Sequence, residues 1–287
     1  MKLKYLRIWS IILGLGLIFA CAKDADDTLN SVDKAANLLV TGESANDFLS
    51  NDKFTNLKIE IAHVVGFRPT QGAILLLTNY LKTYTFKENI EIVYSELPSP
   101  NKETLTIQEI ADIETKNRTV YNDGNTLGIF IYFADAPDED DEAESSATLG
   151  AVYRNTTMVI YESTVRRIAN RNLIRDALVE SATINHEFGH LLGLVNLGTT
   201  AINNHIDAES SNHCNVAGCL MGAELQFGRI GKSSNLISKN IGNLNSSCSL
   251  SEKSLMHILK NNSSKGFLNS VPLDAECILD LKSNGGR

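Results

Sequence analysis

The residues best suited to chemistry lie in the segment HEFGHLLG, which begins at His186. If this segment is helical, His186 and His190 lie on one face, because residues four apart stack one above the other in an α-helix. Two imidazoles so placed can bind one metal ion, most commonly zinc. Glu187 then stands beside the first ligand, where its carboxylate can take a proton from an activated water molecule. The spacing predicts a zinc-dependent hydrolase.

The residues around this motif predict a largely buried helix. Apolar side chains recur through the segment at Val179, Ala182, Ile184, Phe188, Leu191, Leu192 and Leu194. Burying imidazoles and a carboxylate among them is costly unless they have partners, and a metal ion would be such a partner. Gly193 follows the last turn and permits the sharp bend that ends the helix.

A catalytic zinc ion usually takes three protein ligands, so a third must lie further along the chain. Chains with this motif commonly place it three residues after the glycine, but here that position is Asn196, a poor zinc ligand. His205 is one candidate, because Asp207 could hold its imidazole from behind. Glu209, nineteen residues after His190, is another.

A further candidate lies in the segment HCNVAGCLM, which begins at His213. Its order, a histidine followed at once by Cys-x4-Cys-x-Met, resembles the signature of the archaemetzincins, which are metzincin-type zinc metallopeptidases. The resemblance implies that His213 is the third ligand and that Met221 lies in a tight turn beneath the metal. It also implies an inserted loop, residues 197–212, between the helix and this ligand. His213 is the favoured third ligand, and His205 remains its alternative.

The first 20 residues predict a lipoprotein signal peptide. Three lysines or arginines in the first seven residues precede an apolar run, residues 8–19, and then Ala20 and Cys21. Twelve apolar residues are too few for a comfortable membrane span, and a small residue before cysteine resembles a bacterial lipobox. We therefore expect Cys21 to be lipidated and the protein to be anchored in the envelope of a Gram-negative bacterium, at the outer membrane or cell surface. An ordinary cleaved secretory signal is the alternative.

Four cysteines remain after Cys21, an even number for an oxidising compartment. The short spacing favours a disulfide between Cys214 and Cys219, which leaves Cys248 to pair with Cys277. In archaemetzincins the cysteines that match the first pair help to bind a second zinc ion together with a later CxxC. This chain has no later CxxC. The expectation is therefore two disulfides and a single metal site.

The charge balance argues against a nucleic-acid partner. The formal net charge is −8, and removing the three cationic residues of the signal leaves −11, which repels nucleic acid and anionic membrane surfaces. Seven of the ten residues in 135–144 are acidic. They lack the order of an EF-hand, so a solvated loop is favoured over a calcium site.

The apolar periodicity predicts an α/β (α+β) fold in one catalytic domain. Strands are predicted at 57–61, 90–97, 127–134, 150–154 and 158–161, and helices at 70–84, 106–117 and from about 173 into the zinc motif. This order resembles the upper subdomain of metzincins, a mixed twisted sheet over the active-site helix. The strand at 150–154 is the expected edge to which a peptide substrate adds. The predicted organisation is a signal at 1–20, a tether with a short helical lead-in at 21–56, an upper subdomain at 57–194 and an irregular lower subdomain at 195–287.

These observations predict a monomeric, lipid-anchored zinc endopeptidase that cleaves protein or peptide substrates with Glu187 as general base. The alternative is a surface-exposed binding lipoprotein with a degenerate or structural zinc site. Asn196, a poor ligand in the position where the third ligand is common, favours this alternative. His63 and His257 lack comparable neighbours and are expected to have no role in the site.

Overall fold

The computed structural model describes residues 34–141, 147–222 and 270–287, and the backbone of 248–251. Its strands are β1 (Asn56–Val64), β2 (Asn89–Leu97), β3 (Thr126–Phe133), β4 (Thr148–Arg154), β5 (Thr157–Ile160) and β6 (Cys248–Ser251). Its helices are a 3-10 turn (Lys34–Asn37), α1 (Ala45–Leu49), α2 (Gln71–Tyr84), α3 (Ile107–Asn117), α4 (Glu162–Asn172), α5 (Asp176–Leu191) and α6 (Ala275–Ser283). Among the described ranges, none of the helices combines the length and apolar character of a bilayer-spanning segment.

The strands form one six-stranded mixed sheet in the order β2-β1-β3-β5-β4-β6. Strands β2, β1, β3 and β5 are parallel, so that Ile59 lies between Ile92 and Ile129 in register. Strand β4 is antiparallel to β5, and β6 is antiparallel to β4. The central strand β3 is almost wholly buried, as expected where helices cover both faces of a parallel sheet. The predicted α/β fold with a mixed sheet is confirmed.

The two faces of the sheet carry separate apolar cores. One core joins the sheet to α2, α4 and α5 through residues such as Ile61, Leu77 and Phe188. The other joins it to α3 through residues such as Ile110 and Tyr132. Helix α3 begins with a capping box in which Thr106 and Glu109 bond each other's backbone N–H groups. The helix that carries the HExxH motif is thus packed directly beneath the sheet.

The helix predicted from about residue 173 is two helices. Helix α4 ends at Asn172, and Leu173 follows in a left-handed conformation with φ of 55°. Helix α5 begins only at Asp176. The chain must turn at Leu173, because a left-handed residue cannot continue a right-handed helix. Helix α4 was missed because its apolar residues are few among charged and polar ones.

The prediction that β4 forms the edge of the sheet is wrong. Strand β6 pairs with its outer side, with Ala151 opposite Ser249 and Val152 opposite Cys248. Strand β6 has only four residues, Cys248–Ser251, too short a run for its alternation to predict a strand from the sequence. The described edges of the sheet are therefore β2 and β6.

A buried pair of carboxyl groups fixes α5 against its neighbours. Glu180 of α5 accepts hydrogen bonds from the backbone N–H, at 3.0 Å, and the hydroxyl of Thr70, which caps α2. Glu162, at the start of α4, accepts a bond from Arg166 Nε at 2.6 Å. Burial, together with the neighbouring Glu180 carboxyl, raises the pKa of Glu162 to about 9. Glu162 therefore keeps a proton at neutral pH, and the pair does not place two negative charges side by side.

Candidate metal centre

Three histidines converge below the sheet. His186 and His190 lie one turn apart on α5, and His213 reaches them from the loop that follows. One ring nitrogen from each of the three lies within 4.8 Å of those of the other two. The Nε2 atoms of His186 and His190 are 3.1 Å apart. Two nitrogens on one tetrahedral zinc ion, with bonds of about 2.05 Å, would be about 3.3 Å apart. The spacing fits one zinc ion.

Backbone carbonyls orient two of these rings. His186 Nδ1 lies 2.7 Å from the Leu220 carbonyl, and His213 Nδ1 lies 3.1 Å from the Ser211 carbonyl. Since a carbonyl only accepts, each Nδ1 carries the proton and each Nε2 keeps its lone pair for a metal. Burial lowers the pKa of His186 to about 3 and lowers the pKa values of His190 and His213 as well. The rings are therefore neutral, which is the form that binds metal.

Glu187 directly follows the first of these histidines on α5 and is fully buried. Neither carboxylate oxygen has a hydrogen-bond partner among the described residues. Burying such a group without partners is costly, and burial raises its pKa well above the usual range. A Cβ atom on Gly150 of β4 would lie 3.0 Å from Glu187 Cγ, so the backbone of β4 passes close to the acid. A carboxylate with two free oxygens next to three converging imidazoles is suited to handle a water molecule at a metal.

Met221 lies against the helix between the two metal-binding turns. A Cβ atom on Gly189 would come within 2.2 Å of its sulfur, so only glycine at position 189 leaves room for it. The Met221 carbonyl accepts a bond from Cys214 N–H at 2.7 Å. This bond ties the loop under the site to the residue that follows His213.

The structure separates the candidates for the third ligand. Asn196 is exposed and left-handed, with φ of 66°, so it points out of the site where the chain turns after Gly193. Glu209 is exposed and its N–H bonds Asp207 Oδ1. Only His213 of these candidates joins His186 and His190.

His205 belongs to a second cluster, which the sequence analysis did not expect. Its Nδ1 lies 3.3 Å from Cys214 Sγ and 3.9 Å from Cys277 Sγ. Cys219 Sγ lies 3.7 Å from Cys277 Sγ. Asp274 Oδ2 lies 3.2 Å from Cys214 Sγ. All three sulfurs and the imidazole are buried.

These separations match the edges of a zinc tetrahedron. With zinc–sulfur bonds of about 2.3 Å, two sulfurs on one ion are about 3.8 Å apart. The His205 imidazole is held from behind by Asp280, whose Oδ2 lies 2.8 Å from Nε2. A carboxylate behind a ligating histidine is the usual support of a metal ligand. The cluster thus has the donors of a closed, structural zinc site.

The predicted disulfides are absent from the described residues. Cys214, Cys219 and Cys277 are free thiols. The thiol of Cys277, expected to pair with Cys248, lies instead in the His205 cluster. The side chain of Cys248 is outside the described residues. Sequence spacing does not show that α6 returns to the loop below the site, so the position of Cys277 beside His205 was not predictable from it.

Sequence reasoning missed the residues that α6 contributes. Asp274, Cys277 and Asp280 are spaced by three, so they share one face of a helix that begins with Asp274 as its N-cap. That D-x-x-C-x-x-D spacing, with the N-cap, was the available signal.

Other predicted residues lie outside both clusters. His63 is buried in β1, with Nδ1 3.2 Å from the Val64 carbonyl. His257 and Cys21 lie outside the described residues. Among the described residues, only the two His-containing clusters have the arrangement of a metal site, and no part of 135–141 joins either.

Comparisons with known proteins add one structural likeness. The sequence matches no protein-family profile and no curated protein. The fold is similar to the crystal structure of archaemetzincin from Methanopyrus kandleri, with 12% identity and a TM-score of 0.43. The likeness covers 80% of this chain and 96% of that chain.

Proposed function

We propose that this protein is a zinc-dependent endopeptidase with His186, His190 and His213 as the zinc ligands. The observation that carries the proposal is the buried Glu187 carboxyl group, which has no hydrogen-bond partner in the described part of the chain, next in sequence to a cluster of three imidazoles whose nitrogens converge. When bound there, zinc would supply Lewis-acid activation of water and of the substrate carbonyl. Three protein ligands leave a fourth position for water, as catalytic zinc sites require.

The chain's own residues have separate tasks in this reaction. Glu187 takes a proton from the attacking water on a carboxylate oxygen, and it returns that proton to the departing amine. The carbonyls of Leu220 and Ser211 hold two imidazoles in the tautomer that carries the proton on Nδ1, so that a metal would bind the Nε2 lone pair. Burial of Glu187 excludes bulk water, so the proton passes between the acid and the reacting groups.

We propose a peptide as substrate because a backbone strand borders the acid. The Cβ position of Gly150 is in contact with Glu187, so the β4 backbone runs beside the reacting position. Extended peptides bind to strands by main-chain hydrogen bonds, with specificity added by side-chain pockets. A bond held along β4 would lie next to Glu187.

We also propose a second, structural zinc ion on His205, Cys214, Cys219 and Cys277. Its support is the mutual proximity of His205, Cys214 and Cys277, the Cys219 sulfur 3.7 Å from that of Cys277, and Asp280 behind His205. Three thiolates and one imidazole form a common closed site. This ion would tie α6 to the loop that carries His213.

The test of catalysis compares three variants of the zinc-loaded protein. Glu187→Gln should keep zinc and lose hydrolysis of casein, an unstructured substrate, because removing a general base costs about 10²-fold or more. His213→Ala should lose one zinc equivalent together with activity. His63→Ala, the matched histidine control in β1, should keep both.

The outcomes separate this function from its alternative. Full hydrolysis by Glu187→Gln would remove that acid from the mechanism. Zinc bound at three histidines with no hydrolysis by the unaltered protein would favour the surface binding lipoprotein.

We propose that the protein acts as a lipid-anchored monomer in the envelope of a Gram-negative bacterium. The support is the lipobox-like Ala20-Cys21 after a short apolar run. The acidic net charge supports the absence of a nucleic-acid partner.

A further inference from the structure

The backbone of strand β4 lies directly against Glu187, the candidate catalytic acid. A Cβ atom on Gly150 would lie 3.0 Å from both Glu187 Cγ and Thr183 Cγ2. No side chain at position 150 therefore separates the strand from α5. A peptide paired with the outer side of β4 would run alongside this acid.

The outer side of β4 is already paired with the chain's own β6. The pairing is antiparallel, with Thr148 opposite Ser251, Ala151 opposite Ser249 and Val152 opposite Cys248. The β6 backbone also approaches α5 to within 8 Å between Cα atoms. Strand β6 thus takes up main-chain positions that a peptide would use beside Glu187.

The β6 pairing has the features of an exchangeable contact. The strand has only four residues, and its register with β4 is interrupted between Thr148 and Ala151. So short and irregular a pairing contributes little stability. It persists because β6 is covalently attached, and a tethered segment has an effective concentration of about millimolar. A free peptide competes against that concentration.

We propose that β6 is an internal occupant of the peptide-binding side of β4, and that an extended polypeptide must displace it to reach the site. The chemical class of the displacing partner is an unfolded chain that pairs antiparallel through its backbone. If the proposed peptidase function holds, on which this consequence rests, strand β6 partly blocks the peptide-binding side of the resting enzyme.

The test weakens β6 and measures peptide binding without hydrolysis. In the Glu187→Gln background, Ser249→Pro removes a backbone donor opposite Ala151, whereas Ser270→Pro makes the same change at an exposed, irregular position. The probe is a fluorescent synthetic peptide with the sequence of residues 246–253 and serine in place of Cys248. If β6 occupies β4 in ten of eleven molecules, Ser249→Pro should tighten binding of this peptide by roughly tenfold. Ser270→Pro should leave the affinity unchanged.

Hydrogen exchange gives a readout independent of any substrate. Ser249→Pro should speed exchange of the β4 amides and leave the α5 amides protected. If Ser249→Pro does not fold, by circular dichroism and α5 protection, Ser251→Pro tests the pairing with Thr148 in the same way. Unchanged β4 exchange and equal peptide affinity in the folded variant and its control would overturn the proposal. Tighter peptide binding by Ser249→Pro supports the proposal. If the protein with Glu187 intact nevertheless fails to hydrolyse casein, only the peptidase function is refuted.

Discussion

Replacing Cys277 with alanine should remove one of two bound zinc ions and leave the other. Cys277 Sγ lies 3.7 Å from Cys219 Sγ and 3.9 Å from His205 Nδ1, the spacing of ligands on one ion. It has no contact of this kind with the His186 cluster. The expected stoichiometry is two zinc ions in the unaltered protein and one in Cys277→Ala.

The stability change follows from the linkage of zinc binding to folding. A structural zinc ion present at a thousand times its dissociation constant stabilises the folded chain by about 4 kcal/mol. Cys277→Ala should lose most of this zinc-dependent stabilisation, because the three remaining donors hold the metal much more weakly. The chelated forms of the two proteins should differ less, by about 1 kcal/mol for the small buried group removed.

The assay combines metal analysis with urea unfolding in zinc and in chelator. The matched control is Cys248→Ala, since Cys248 was the disulfide partner that the sequence indicated for Cys277. Cys248→Ala should keep two zinc ions and the full zinc-dependent stability. In cobalt-loaded protein, the thiolate-to-metal absorption should diminish in Cys277→Ala alone.

Two results would refute this reasoning. Two zinc ions in Cys277→Ala would show that Cys277 is not a ligand. Equal losses in Cys277→Ala and Cys248→Ala, with no free thiols in the unaltered protein, would restore the disulfide.

Two further predictions concern the buried acid pair and the N-terminus. The pKa of Glu162 is about 9 in the folded chain, whereas an unfolded glutamate titrates near 4.5. Between these pH values the folded chain holds a proton that the unfolded chain releases. The free energy of unfolding therefore falls as pH rises through that window. Glu162→Gln should therefore lose roughly 4 kcal/mol of the stability difference between pH 5 and pH 8, measured by urea unfolding, and an unchanged difference would contradict the protonated pair. Cys21→Ser should move the protein from the membrane fraction to the soluble one or leave an uncleaved precursor, since the lipid is attached through that sulfur. A correctly cleaved variant that still partitions with membranes would contradict lipidation.

The elements that depend on local spacing were predictable from the sequence. The apolar alternation from Leu57 and the continuous run from Leu127 became β1 and β3, because strand periodicity is written in neighbouring residues. The four-residue spacing of His186 and His190 placed both on one face of α5 for the same reason. The core-facing positions of these elements therefore needed no tertiary information.

The rest of the site was decided by tertiary structure. Asn196, His205 and His213 are all polar residues in irregular chain, and no periodicity tells which one folds back to α5. The route of the loop decides it, through backbone bonds such as Cys214 N–H to the Met221 carbonyl. The partner of Cys277 was equally hidden, because about 60 residues separate it from Cys219 along the chain while 3.7 Å separates their sulfurs. Contacts between distant segments depend on how the whole chain packs, so only the folded molecule shows that the cysteines gather around His205.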